Sequence, residues 1–462
     1  MVFSSLIFLS AFLPLVFVLH ALVRDIRVKN AILICASLLF YAWGEPVYIV
    51  LLVVSTLANY LFGRLVRRGG EQRRAWLVTA VAVNLAFLGI FKYADMAVST
   101  VSSLAGASLP LPGIPLPLGI SFYTFQALSY VIDVYRGECE PQESYPCVLL
   151  YISFFPQLVA GPIVKYHDIE HEMGERNATV DDIADGLVRF STGLGKKVLI
   201  ANTMGACADA LYALDASQVN APIAWVAAFA YLMQIYFDFS GYSDMAIGLG
   251  RMFGFHFQEN FNHPYVSTNI KEFWRRWHIS LSTWFKEYVY IPLGGNRKGR
   301  TRAGINKCIV FFLCGLWHGA SWTFVIWGII HGAFSLFEEL VPVRKMPKLL
   351  GHIYTLLVVM LAFVIFRCDT LAQAGTFISA MFTGWGGAPA SNVILMRELT
   401  PLFIATSAAA CVAACPVGDL VKARLPKQVM RAASFAGSIA LLVLCVLSLS
   451  SGTYNPFIYF RF

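Results

Sequence analysis

His318 lies in the run Leu316-Trp317-His318-Gly319-Ala320. A neutral imidazole can take the proton from a hydroxyl as that hydroxyl attacks a thioester or ester carbonyl. Its unperturbed pKa of about 6.5 suits a group that must exchange protons near neutrality. Gly315 and Gly319 remove side chains on either side, so that a substrate or another backbone can come close. The alternative is a packing histidine bonded to a neighbouring carbonyl. Cys314 falls four residues earlier, on the same helix face. That spacing would suit a Cys–His pair forming an acyl-thioester, although cysteine at an apolar helix position is also ordinary. His331 lies 13 residues beyond His318. On one regular helix that is about 140° around and roughly 20 Å along, which keeps the two histidines out of a common site. His331 therefore reads as a packing or terminus residue.

A second polar group is Phe273-Trp274-Arg275-Arg276-Trp277-His278. Adjacent arginines between tryptophans suit a membrane-interface anchor, with guanidinium groups reaching phosphates. His278 could instead face a cavity and share the site of His318. A third is the run from Gln234 to Asp244, polar residues inside an otherwise apolar segment. Asp238 and Asp244 are six apart and point in different directions around a helix. That arrangement favours pairing with arginines over joint acid–base work, and a proton or cation path is the functional alternative.

These residues need a scaffold, and the composition says which solvent it lives in. The chain has 462 residues, 58% hydrophobic and 13% charged. Soluble chains carry about 25% charged residues, so lipid must be the solvent for most of this one. Apolar segments near 3–23, 30–43, 46–63, 75–91, 119–135, 147–164, 221–250, 308–340, 350–367, 398–415 and 432–450 give about eleven spans. The first lacks a basic leader and a small-residue cleavage site, so it reads as a retained span. The clusters Arg24/Arg27/Lys29 and Arg64/Arg67/Arg68/Arg73/Arg74 are two spans apart and mark the cytoplasmic side; the N-terminus then faces outward, as does the loop 92–118. Arg297, Lys298, Arg300 and Arg302 fall on the predicted cytoplasmic side, as topology signals or as an attractor for an acidic donor.

Residues 180–187 suit an amphipathic surface helix leading to Lys196 and Lys197. Residues 251–307 are too polar to face lipid and too apolar for a free loop, as expected of a re-entrant segment around a cavity. The net charge of +8 sits in short loops and no nucleic-acid motif accompanies it. Ten cysteines lie mostly in apolar runs without Cys-x-x-Cys spacing, so neither a disulfide framework nor a metal site is expected. No internal repeat supports an inverted-repeat transporter.

Five motifs in order carry a resemblance. They are Phe154-Phe-Pro-Gln-Leu-Val-Ala-Gly-Pro162, Tyr236-Phe-Asp-Phe-Ser-Gly-Tyr-Ser-Asp-Met-Ala246, Phe261-Asn-His-Pro-Tyr265, Phe273-Trp-Arg-Arg-Trp-His-Ile-Ser-Leu281 and Trp317-His-Gly-Ala320. Together they resemble the membrane-bound O-acyltransferases, in particular the bacterial branch that acetylates alginate or D-alanylates teichoic acids. Met1-Val-Phe-Ser-Ser5, Pro117-Leu-Gly-Ile-Ser-Phe-Tyr-Thr-Phe125 and Phe363-Val-Ile-Phe-Arg367 favour the alginate side. The resemblance implies an all-α polytopic fold: a ring of about eleven transmembrane helices with re-entrant segments around a central tunnel. The whole chain, 1–462, would form one acyltransferase domain, with core motifs in 117–382 and less distinctive helices in 383–462. It implies His318 as the catalytic histidine and His278 as the second polar position of the site. Asp238, Tyr242, Asn262, Trp277 and Trp317, within the same motifs, become substrate or tunnel candidates.

It further implies acetyl-CoA as a cytoplasmic donor substrate, with no bound cofactor and no metal. The expected location is the bacterial inner membrane. The expected partner is a periplasmic acetyl acceptor or SGNH-type acetyltransferase acting on an exopolysaccharide. The competing readings are a D-alanyl transferase, a small-solute transporter and a non-catalytic scaffold of polymer secretion.

Overall fold

The computed structural model describes residues 1–106, 108–386, 389–452 and 454–458. All regular structure among the described residues is helical. This is what a chain in lipid requires, since helices satisfy their backbone groups internally. Among the described residues six helices are long and apolar enough to cross a membrane: Ile49–Arg68, Gly70–Ala105, Ala221–Met252, Trp322–Leu340, Lys348–Arg367 and Lys427–Ser450. A seventh span is possible if Ser391–Glu398 and Pro401–Ala414, bent by 66°, cross together. The bend falls where Thr400 caps the second helix and Pro401 cannot continue the first. Helices Ile26–Ala42 and Ile120–Arg136, both expected as spans, form with 17 residues each.

Two boundaries differ from the sequence reading. The helix expected to end near residue 91 runs on through Lys92 to Ala105, so the loop expected on the outside begins fourteen residues late. The segment 308–340 is two helices, Gly299–His318 and Trp322–Leu340, separated by extended backbone at Gly319 and Ser321. Ser321 caps the second by accepting from the Thr323 amide.

The chain divides into two compact units: Met1–Phe190 with Ser243–Gln258, and Ser191–Tyr242 with Glu259–Phe462. The first is built on a cluster of Phe3, Phe8, Phe12, Phe40 and Phe155, whose rings meet at 5.1–6.5 Å. Several of its polar side chains are paired. Asn59 and Asn84 exchange amide hydrogen bonds of 3.1 and 2.7 Å between two lipid-length helices. Arg176 donates to Asn30 and to the Phe253 carbonyl. The expected amphipathic helix is Val180–Gly195, from which Arg189 reaches Asp244 at 2.6 Å.

In the second unit the helices Gly299–His318 and Trp322–Leu340 approach through glycines. A Cβ on Gly315 would stand 2.5 Å from the Phe324 carbonyl, and one on Gly328 would stand 2.3 Å from the Phe311 carbonyl. Small residues let backbones come this close where lipid offers no hydrophobic drive between helices. Of the two roles open to Gly315, close approach of another backbone is the one the structure shows. Helix Ala221–Met252 contributes residues 221–242 to this unit, and 83% of its most apolar stretch is buried in protein.

Candidate active site

His318 is the last residue of helix Gly299–His318 and is 6% exposed. Its ring meets Trp317 at 5.0 Å, Trp327 at 5.0 Å and Phe366 at 5.2 Å, each nearly edge to face. It lines a narrow apolar cleft with Ile235, Phe239, Trp277, Trp327, Phe363 and Phe366. Such walls exclude water and keep a low dielectric, in which any polar contact acts more strongly than in solution.

His278 is fully buried. It and His263 are the only non-glycine residues at positive φ among the described residues, His278 with φ 44°. A left-handed conformation costs a non-glycine residue about 1–2 kcal/mol and persists where the surroundings dictate it. Here it joins helices Ile270–Arg276 and Ile279–Phe285 through a sharp turn. Strand-like bonds brace the turn: the Ile279 amide donates to the Asn260 carbonyl at 2.9 Å, and the Asn262 amide donates to the Arg276 carbonyl at 2.9 Å. Asn260 Oδ1 then accepts from the Ser280 amide at 3.2 Å and the Ser280 hydroxyl at 2.9 Å, and lies 3.2 Å from His278 Nδ1. Phe239 packs edge-on against the His278 ring at 4.6 Å, and Trp317 at 5.9 Å. The two histidines thus share Trp317 as a neighbour, and Phe239 touches one while lining the cleft of the other. His278 is not among the cleft-lining residues.

The remaining candidates separate into groups. Trp277 lines the cleft, and Trp317 lies beside both histidines. Asn262 is exposed and serves through its backbone, its carbonyl accepting from Arg276. Arg276 also pairs with Glu272 at 3.1 Å, so its guanidinium is engaged within the protein. Asp238 pairs with Lys197 at 2.9 Å and accepts from the Ile458 amide at 2.8 Å; Lys197 also donates to the Pro456 carbonyl. Tyr242 stacks on Phe457 at 4.6 Å. Asp238 and Tyr242 therefore hold the segment 456–458, on the same helix whose Ile235 and Phe239 face the cleft. Asp238 and Asp244 do take separate cationic partners, as their spacing suggested, although one is a lysine.

His331 corrects the helical argument that set it apart from His318. The break after His318 folds the chain back, and Trp327 lies 5.0 Å from the His318 ring and 4.9 Å from that of His331. Trp274 Nε1 donates to His331 Nδ1 at 3.2 Å. His331 is a packing residue one ring away from the cleft. Trp327, Phe366 and Asn260 escaped the sequence reading. Each is an ordinary core or loop residue by type, and only the fold puts it against a histidine.

An aromatic-walled cleft lined by a histidine, in a helical membrane protein, is the candidate site of this chain. The sequence model of the membrane-bound O-acyltransferase family matches residues 142–368. The "Probable alginate O-acetylase AlgI" of Azotobacter vinelandii is 40% identical over the full length of both chains. The "Peptidoglycan O-acetyltransferase" of Helicobacter pylori is 37% identical over 82% of this chain and 80% of its own. The "Teichoic acid D-alanyltransferase" of Bacillus subtilis is 29% identical over 48% of this chain and 60% of its own. The chain belongs to the membrane-bound O-acyltransferase family, and it is a multi-pass membrane O-acyltransferase.

Proposed function

We propose that the protein moves an acetyl group from a cytoplasmic donor, acetyl-CoA, across the bacterial inner membrane for O-acetylation of an exopolysaccharide such as alginate. The observation that carries the reading is His318 in the wall of the narrow aromatic cleft, beside Trp317 and Trp327. In this reading His318 takes the proton of the acceptor hydroxyl as it attacks the thioester carbonyl. The C–O bond forms, the C–S bond breaks, and the coenzyme leaves as its thiol once a proton reaches the sulfur. His278 orients the reacting groups. The acceptor is a serine of a periplasmic SGNH-type partner or a small carrier, which passes the acetyl group to the polymer.

The shorter helices, added to the lipid-length ones, support about eleven spans around a tunnel, with the N-terminus periplasmic. The relatives that transfer acetyl groups match most of the chain, which favours acetyl over D-alanyl transfer.

The test is transfer of labelled acetyl from acetyl-CoA in purified membranes, wild type against His318→Ala at equal expression. A fall of several hundred-fold, with the variant still inserted, is expected of a lost general base, since such groups contribute about 10²–10⁴-fold. A ratio near one would reduce His318 to packing.

A further inference from the structure

The hydrogen bonds around Asn260 determine which nitrogen of His278 carries the proton. The Ser280 backbone N–H can only donate, and it points at the Asn260 side chain at 3.2 Å. The atom it meets must therefore be the amide oxygen rather than the amide nitrogen, which fixes the orientation of Asn260 without reference to His278. That same oxygen lies 3.2 Å from His278 Nδ1. An amide oxygen only accepts, so Nδ1 must be the protonated nitrogen, and in the neutral ring Nε2 carries the lone pair. His278 Nε2 is buried and has no hydrogen-bond partner among the described residues. A buried polar atom without a partner is rare and calls for an explanation.

The backbone holds the ring to this arrangement from both ends. Asn260 is tied to the turn by its own carbonyl, which accepts from the Ile279 amide next to His278. His278 in turn is held at φ 44°, with Phe239 and Trp317 against its ring. Rotating the Asn260 amide away breaks its bonds from the Ser280 amide and hydroxyl, and rotating the His278 ring breaks its packing on Phe239 and Trp317.

We propose that Asn260 is a positioning residue for acyl transfer: its side-chain oxygen, oriented by Ser280, holds His278 as the Nδ1–H tautomer and leaves Nε2 as a hydrogen-bond acceptor. This rests on the reading of His278 as part of the transfer site. It also narrows that role. As the neutral Nδ1–H tautomer, His278 offers no N–H to a developing oxyanion at Nε2. It accepts instead, from the hydroxyl of the incoming acceptor or from an amide N–H of the donor's arm. Accepting from the hydroxyl would orient it for deprotonation by His318.

The experiment is ¹⁵N NMR of histidine-labelled protein in lipid nanodiscs, with the His278 signals identified among the nine histidines by their loss in His278→Gln. Wild type should show a protonated Nδ1 and an unprotonated Nε2 near pH 7.5. A protonated Nε2 with a bare Nδ1 would overturn the proposal, and this measurement needs no variant of Asn260 to fold. Asn260→Ala should mix the tautomers and lower kcat for acetyl transfer tenfold or more, with KM for acetyl-CoA within twofold. An unchanged tautomer and unchanged kcat in Asn260→Ala would also overturn it. Full activity in His278→Gln is a different result: it would remove the transfer role of His278 while leaving the tautomer measurement to stand or fall alone.

Discussion

Two buried polar centres of this protein are built on opposite rules. In the first unit Asp133 is fully buried, and His167 Nδ1 meets it at 2.9 Å while Nε2 of the same ring lies 3.2 Å from Asp168. Both nitrogens are engaged by carboxylates, and the ring is held charged; its hydrogen bonds to Asp133 and then to Asp168 raise its pKa to about 10. In the second unit His278 and His318 are surrounded by the rings of Phe239, Trp317, Trp327 and Phe366. A histidine saturated by acids is a structural cation and cannot act as a base near neutrality. His278, walled by aromatic rings and with Asn260 at its Nδ1, keeps a buried Nε2 without a hydrogen-bond partner among the described residues. Pairing with acids thus marks architecture in the first centre, and aromatic enclosure marks the candidate place for chemistry in the second.

The rule can be broken most sharply within the second unit, where Lys197 and Asp238 form a pair 5% and 1% exposed. If pairing is architectural there too, Asp238→Asn strands a buried ammonium. The cost of breaking such a pair is about 3–5 kcal/mol, a fall of roughly 5–10 °C in the unfolding midpoint in detergent. The double variant Lys197→Met/Asp238→Leu should recover most of it, because no charge is left behind. Loss of acetyl transfer in Asp238→Asn at unchanged stability would instead put Asp238 in the reaction and break the comparison.

The next effect is smaller and depends on pH. His167 has a folded pKa raised from 6.5 to about 10, so its ion pairs stabilise fully below pH 6.5, where the unfolded ring is charged as well. The contribution declines as pH rises from 6.5 and is gone above about 10. His167→Gln should therefore lower the midpoint by roughly 2–4 °C at pH 6, with the gap to wild type closing by pH 10. Transfer activity, normalised to folded protein, should stay within twofold. A gap independent of pH would show that His167 is not a structural cation.

The two centres were unequally legible in the sequence. The membrane setting, the long apolar helices and the position of His318 followed from composition, hydropathy and one motif, because each is a local property. The break at Gly319–Ser321 was not legible: residues 308–340 are apolar throughout, and nothing in hydropathy distinguishes one long helix from two that fold back. That single error placed His331 far from His318. The partners of His278 were hidden for a different reason. Asn260 lies 18 residues away, and a left-handed histidine is not a propensity that sequence advertises. His167 was passed over because its acids come from separate segments, Asp133 at a helix end and Asp168 beside it.

The smallest expected effect concerns a residue whose spacing invited chemistry. Cys314 precedes His318 by one helical turn, and if it carried the acyl group its thiol would need the imidazole as base. The thiol is 3% exposed, and its sulfur makes no hydrogen bond among the described residues, to His318 or to any other group. Its neighbour Gly315 is pressed against the Phe324 carbonyl, which fixes the helix face on which Cys314 sits. A nucleophile without contact to its base has no means of activation in this arrangement. Cys314→Ala should therefore retain acetyl transfer within twofold, read in the same membrane assay that His318→Ala fails. A hundred-fold loss with the protein folded would require an acyl-cysteine, and the second centre would then hold a nucleophile beside its histidines.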